Sequence, residues 1–257
     1  MGLLVVALLW ACFAFTNERV VPEISSSQQQ QTSVNQDIKD ISGNSQWVII
    51  ASITFFLLTA VAMRGGVTNY YIEYFFDRKA SIGAFNSLGM AAGVAGALSV
   101  TIFKRHACKV TLFRWASIIV ICIHLGFFGL NQAQYEIALV LSMAANFFHM
   151  VVTVLLFSMV PDTVEYGKSA LKTAGNAMAM SFAGHLLALK FGIAVGGAMT
   201  GWGLAYVGYV ANAVQSESTL TGIVAIYASG PIVLGFVILA LLSRYKLTNQ
   251  EMTKYAG

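Results

Sequence analysis

Residues 174–206 read AGNAMAMSFAGHLLALKFGIAVGGAMTGWGLAY, and Lys190 is the lone lysine, arginine or acid among them, 16 positions from either end. A helix that crosses a bilayer needs about 20 consecutive, mostly apolar residues. In hydrocarbon every backbone N–H and C=O must find a partner within the segment, which a single apolar run achieves only as a helix. The stretch therefore predicts a spanning helix and makes the chain an all-α integral membrane protein.

Working outward, the same pattern recurs at residues 47–71, 83–103, 112–130, 136–160 and 222–243, with a shorter run at 3–16. Of the 257 residues, 57% are hydrophobic and only 10% charged. Soluble domains carry about 25% charged residues, so this surface is one that faces lipid. Residues 23–46 interrupt the series. Their core, Ser25 to Gln31, is an unbroken run of serine and glutamine, which buries too little apolar surface to fold and predicts a flexible linker. The expected organisation is a single helix in 1–22, a linker in 23–46 and a six-helix block in 47–257. Cys12, Cys108 and Cys122 lie at spacings that suggest neither a disulfide framework nor a metal site.

The basic residues set the expected orientation. One side collects Arg19, Lys39, Lys104, Arg105, Lys109, Arg114, Lys168, Lys172, Arg244, Lys246 and Lys254, whereas the other holds only Arg78 and Lys79. The richer side is read as cytoplasmic. The C-terminus is then inside, and the run at 3–16 crosses from outside to inside. No basic residue precedes that run, the reverse of a signal peptide. With almost no tail ahead of it, it reads as the truncated last helix of a preceding bundle.

Lys190 carries the strongest chemical signal. An ammonium near the bilayer centre costs at least about 2.5–3.5 kcal/mol, so a water-filled cavity, a carboxylate or a substrate is expected beside it. The competing reading is a lysine sealed in a structural cluster. Ala183, Ala194, Gly197 and Gly201 share its helical face and leave room there. Gly192/Gly196, Gly197/Gly201 and Gly89/Gly93 are read first as close-packing pairs, and His185 and Ser181, opposite Lys190, as packing residues. Ser142, Asn146, His149 and Thr153 form a polar stripe on one helix face. It reads equally as a lining for a polar solute or as interhelical hydrogen bonding. His149 adds a group able to take up a proton. Arg64, late in its segment, lies near the expected outer interface, where snorkelling explains it as well as function does, and Tyr70, Tyr71 and Tyr74 suit an aromatic belt.

Pro161 to Gly167 reads as an inner loop of mixed charge. The chain holds no nucleophile–base pair, phosphate-cradling loop or metal-ligand cluster, so nothing argues for an enzyme, a resident cofactor or a metal. No nucleic-acid partner is expected.

At that inner loop a resemblance begins. Asp162-Thr163-Val164-Glu165-Tyr166-Gly167 resembles the D-x-V-D-Y-G motif between helices ten and eleven of the glycoside-pentoside-hexuronide:cation symporters, the melibiose-carrier-like branch of the major facilitator superfamily. Met63-Arg64-Gly65-Gly66 with Tyr70, Tyr71 and Tyr74 resembles the family's seventh helix. Lys190 matches its helix-eleven lysine, Gly208-Tyr209-Val210-Ala211-Asn212 its G-Y-V-P-N turn, and Tyr245-Lys246-Leu247 the end of its helix twelve. The resemblance covers essentially the whole chain.

It implies the C-terminal six-helix bundle of a twelve-helix major facilitator fold, preceded by the end of helix six. It further implies cation-coupled symport of a glycoside or other sugar across the bacterial inner membrane, driven by sodium or protons. Lys190, Asn146, His149 and Thr153 would then face the substrate, and Asp162, Glu165 and Tyr166 would form a cytoplasmic gate. The implied partners are sugar, membrane lipid and an N-terminal six-helix half. Four features depart from the pattern. No acidic residue sits mid-segment to bind the coupling cation. Lys172 to Asn176 lacks the arginine–acid pattern of relatives. Thr153 stands where melibiose carriers place an aromatic, and Ala211 replaces the turn proline. The alternatives are an inactive fragment, a half-transporter subunit that needs its partner, or a lipid substrate in the same fold.

Overall fold

The computed structural model describes residues 34–104, 107–171 and 177–253, with positions 6, 10 and 12–15 ahead of them. Residues 1–31 and 32–257 form two separate units. In the first, the described positions are helical and expose Trp10, Phe13 and Phe15. The segment from Ser25 to Gln31 lies outside the described residues.

The second unit is a helical bundle. Its elements are α1 (Val34–Gly43), α2 (Ser45–Tyr70), α3 (Ile82–Phe103), α4 (Lys109–Gly126), α5 (Tyr135–Leu171), α6 (Ala177–Tyr206), α7 (Glu217–Leu242) and the short α8 (Asn249–Met252). Six of the described helices, α2 to α7 with their flanking turns, are long and apolar enough to cross a membrane. Short-range chemistry sets their ends. The Asn44 side chain accepts the backbone N–H groups of Gln46 and Trp47 at the start of α2, and Ser216 does the same for Thr219 at the start of α7, the usual remedy for unpaired N-terminal donors. At the end of α6, Tyr209 N–H reaches Leu204 O and Gly208 N–H reaches Ala205 O. That pair of bonds closes a helix only with a left-handed residue after it, here Gly208 at φ 74°.

Two stretches are more helical than the sequence reading expects. Residues 34–43, within the linker stretch, form α1, where Ile41 is buried. The motif 162–167, read as loop, lies on the last turns of α5, which runs unbroken through Pro161 to Leu171. Proline costs a helix one N–H bond and crowds the carbonyl four residues back. The Lys109 ammonium lies 3.5 Å from the nearby Ser158 carbonyl and also pairs with the Asp162 carboxylate, which holds this end of α5 to α4.

The bundle has an internal symmetry. α2 packs most closely against α6 and α7, and α5 against α3 and α4. Exchanging α2–α3–α4 with α5–α6–α7 carries one set of contacts onto the other. Three crossings per triplet invert the second relative to the first, the arrangement of inverted repeats in secondary transporters. Glycines make the equivalent crossings tight. A Cβ on Gly96 of α3 would stand 2.2 Å from Phe147 O of α5, and one on Gly192 of α6 would stand 2.5 Å from Phe55 O of α2. Both obstacles are backbone, which cannot swing aside. Gly96→Ala is therefore expected to destabilise the bundle by about 1–3 kcal/mol, read as a lower midpoint of thermal unfolding in detergent. An unchanged midpoint would show that this crossing is looser than described.

Candidate functional site

A guanidinium within the apolar span of a bilayer must be paired or solvated, because charge there is expensive. Arg64 of α2 is only 7% exposed. Its Nη2 donates to Ser142 Oγ at 2.8 Å, its Nη1 to Asn146 Oδ1 at 3.2 Å and its Nε to Tyr227 OH at 3.2 Å. The Tyr227 ring also lies 5.3 Å from its Cζ. Of the two readings of Arg64, snorkelling outward is thus the one the geometry disfavours. A full set of acceptors from α5 and α7 meets it where it stands, so its charge has no need of the interface. Tyr71, expected in an interfacial belt, is likewise buried, stacked on Tyr227 at 4.6 Å.

These groups form a polar layer. On one side lies an apolar cluster built on Ile53, Phe113, Leu155 and Met159, and on the other a cluster built on Val67, Phe85, Phe127 and Ile223. Between them stand Arg64, Ser142, Asn146, His149 and His124. Each comes from a helix that passes from one cluster to the other. Every acceptor of Arg64 is neutral. The ion pairs among the described residues, Arg78–Glu136, Lys79–Glu73 and Lys109–Asp162, all lie toward helix ends.

The polar stripe of α5 divides along its length. Ser142 is buried under Arg64. Asn146 is half-buried, with Oδ1 taken by Arg64 and Nδ2 donating to Ser142 O at 2.9 Å. Its amide fills the space that a side chain at Gly89 would occupy, with Nδ2 2.7 Å from that point. His149 is buried 5.5 Å, centroid to centroid, from His124 of α4. The His124 Nδ1 lies 2.7 Å from Val120 O. A carbonyl only accepts, so Nδ1 carries a proton, and in the neutral ring Nε2 is then an acceptor. That Nε2, His149 Nδ1 and Tyr71 OH are buried with no hydrogen-bond partner among the described residues. Thr153 is half-buried, and its hydroxyl donates back to His149 O at 2.8 Å.

Lys190 stands apart from this layer. α6 lies mainly along α2, through Gly192 and Gly196, and Lys190 is exposed on the opposite face with Ala183, Ala194, Gly197 and Gly201. A Cβ on Gly197 or Gly201 would meet nothing within 4 Å. The two glycine pairs of α6, alike in spacing, thus face opposite ways, one packed and one open. The Lys190 ammonium forms no ion pair with another described residue. His185 and Ser181 do pack inward: the His185 ring meets Thr54 Oγ1 at 3.1 Å, and Ser181 O accepts from the Trp47 indole at 3.2 Å.

At the far end of α5, Asp162 pairs with Lys109, and Thr163 O accepts from Asn44 Nδ2 at 2.7 Å, which ties the start of α2 to this helix. Glu165 and Tyr166 are half-buried. Tyr166 borders a pocket of about 520 Å³ with Gln46, Lys246 and Glu251. The stretch 172–176, where the family pattern is missed, lies outside the described residues. Among the described residues no three His, Cys, Asp or Glu side chains gather as a metal site.

Sequence reasoning missed Arg64 as the partner of the stripe. The usable signal was the stripe itself: an amide and a hydroxyl one turn apart at mid-helix need a donor, and Arg64 sits at matching depth on the helix that leads the other triplet.

The family model described as MFS/sugar transport protein matches residues 1–249. The chain is 31% identical to the inner membrane symporter YicJ of Escherichia coli K12 over 95% of its own length and 52% of that protein. It is 26% identical to the isoprimeverose transporter of Lactiplantibacillus pentosus over 98% of its length and 51% of that protein. With the glucuronide carrier protein homolog of E. coli K12 the figures are 24%, 95% and 52%. The chain spans about half the length of the curated relatives it matches. A membrane bundle of two inverted three-helix units and a family match over nearly every residue lead to one conclusion: the chain belongs to the MFS/sugar transport protein family, in its melibiose-carrier-like branch.

Proposed function

We propose that the chain forms the C-terminal six-helix half of a cation-coupled symporter for a glycoside or other sugar, working by alternating access against an N-terminal half. The observation that carries this reading is the open face of α6. It presents a lysine at mid-helix above two unfilled glycine positions. Left to lipid, such a face would hold an uncompensated charge. Against a second bundle it becomes one wall of a polar passage. In this arrangement Lys190 meets the substrate or an acidic group of the other half. Asn146, His149 and Thr153 contribute from α5, with Arg64 holding Asn146 in place. Asp162, Glu165 and Tyr166 act at the gate on the basic face, taken as cytoplasmic. The coupling ion is sodium or a proton, and no described membrane-core position offers it an acidic ligand. The compartment is the bacterial inner membrane. The names of its relatives, a symporter and a sugar transporter, support the substrate class.

Uptake of a panel of labelled glycosides, with and without a sodium or proton gradient, tests the reading. The chain is compared alone and joined to an N-terminal half. Gradient-driven uptake is expected in the joined form only. Absence of uptake from the joined form for every glycoside would overturn the sugar reading, and uptake by the chain alone would overturn the need for a partner.

A further inference from the structure

The helices that lead the two inverted triplets repeat one another in sequence. Phe55-Phe56 in α2 and Glu73-Tyr74 in the π-helical turn that continues it (Tyr71–Phe75) are matched by Phe147-Phe148 and Glu165-Tyr166 in α5. Both sets have the same separation, 18 residues from the first phenylalanine to the glutamate. The first match is also structural. Each phenylalanine pair stands edge to face at 5.1 Å, and the Phe55 and Phe147 carbonyls are the ones that Gly192 and Gly96 approach. The register that superposes the two glycine crossings therefore superposes the two Glu-Tyr pairs. Because the triplets are inverted, Glu165-Tyr166 stands on the basic face and Glu73-Tyr74 on the opposite one.

Both ends are tied to the corresponding turn. Asp162, three residues before Glu165, pairs with Lys109, the residue that opens α4 just past the α3–α4 turn. Tyr70 holds the matching place before Glu73, and its ring meets Tyr209 of the α6–α7 turn edge-on at 4.9 Å. Tyr74 adds two hydrogen bonds: its hydroxyl accepts from Tyr209 OH at 3.0 Å and from the Asn212 N–H at 3.4 Å. Exchanging the triplets carries the α3–α4 turn onto the α6–α7 turn, so the two sets of contacts correspond. One is ionic and the other aromatic. Backbone irregularity gathers at the aromatic end. π-Helical turns recur at functional sites, and Asn212 takes a left-handed φ of 57°, uncommon outside glycine.

We infer that Tyr70, Tyr74 and Tyr209 form the latch of an outer gate, the counterpart of the gate at Asp162, Glu165 and Tyr166. Closed, it ties the end of α2 to the α6–α7 turn. It parts when the passage opens to this face. The inference rests on the transport reading, which supplies the inner gate that it mirrors. A bond that merely packed the bundle would be made alike in both states and would shift no equilibrium between them.

The test uses the chain joined to an N-terminal half, with Cys12, Cys108 and Cys122 replaced by alanine. One reporter is placed on the open face of α6, either Gly201→Cys toward the outer end or Ala183→Cys toward the basic face, both at exposed positions. The ratio of their rates of modification by N-ethylmaleimide measures outward against inward opening. Tyr74→Phe removes the shared hydroxyl and is expected to raise this ratio about five-fold, the worth of one hydrogen bond. Tyr209→Phe breaks the same bond and is expected to raise it similarly, with the double variant no higher than Tyr74→Phe alone. Asp162→Asn, at the inner gate, is expected to lower the ratio by a similar factor. Helix content by circular dichroism checks each fold, and Tyr209→Phe carries the test if Tyr74→Phe unfolds. A ratio unmoved by either tyrosine variant while Asp162→Asn still lowers it would overturn the outer latch and leave the transport reading standing. A ratio that none of the three variants moves would overturn the latch and the inner gate together.

Discussion

Arg64→Met is expected to destabilise the bundle by about 2–4 kcal/mol, measured by denaturant unfolding in detergent. The methionine keeps the stem but removes the fork, leaving Ser142 Oγ, Asn146 Oδ1 and Tyr227 OH without their shared donor. A buried polar group stripped of its partner costs about 1–3 kcal/mol, and release of the buried charge offsets part of that sum. Arg64→Lys separates this account from the snorkelling one. A lysine keeps the charge and a flexible stem but offers a single point of donors, which cannot reach three acceptors on two helices at once. It is therefore expected to recover less than half of the loss. If Arg64→Lys matched wild type, charge alone would be at work and the bonded fork would be incidental. Tyr227→Phe removes one acceptor and the smallest share, so the order of severity is Met, then Lys, then Phe.

The same residue shows where sequence reading stops. The depth of Arg64 along its helix follows from counting, but the faces of α5 and α7 that turn toward it do not. Without them, a cation a few residues past mid-helix looks like one that reaches for water. The glycine pairs of α6 make the point again. Gly192/Gly196 and Gly197/Gly201 satisfy one spacing rule, and only the position of α2 decides that the first pair is a helix contact and the second an open floor. The spanning helices were legible because bilayer thickness forces long apolar runs, which no tertiary context revises. The end of α5 was not, because its apolar run stops at Val160 and Pro161 imitates a helix stop. The helix goes on past the apolar run, with Asp162 tied to Lys109 and Thr163 O to Asn44. α1 was hidden by the serine–glutamine run before it, although Ile38 and Ile41 already stood at helical spacing.

Lys190→Ala is expected to leave unfolding unchanged and to abolish gradient-driven uptake by the chain joined to an N-terminal half. The two effects follow from one observation. Lys190 has no ion pair among the described residues, and it is exposed on a face of α6 where Gly197 and Gly201 meet no described neighbour. Its removal breaks no packing, and within the membrane it relieves a charge whose insertion costs about 2.5–3.5 kcal/mol. A residue held at such a cost, with no ion pair among the described residues, is expected to act on something outside this bundle. Lys190→Arg distinguishes the two candidates for that outside group. A carboxylate in the facing bundle accepts a guanidinium as readily as an ammonium, so transport would persist at reduced rate. A substrate fitted around a compact ammonium would be displaced by the larger fork, and the half-saturation concentration would rise while expression and unfolding stayed at wild-type values. Full uptake by Lys190→Ala would remove the lysine from the mechanism altogether, and with it the reason for reading the glycine face beside it as the wall of a passage.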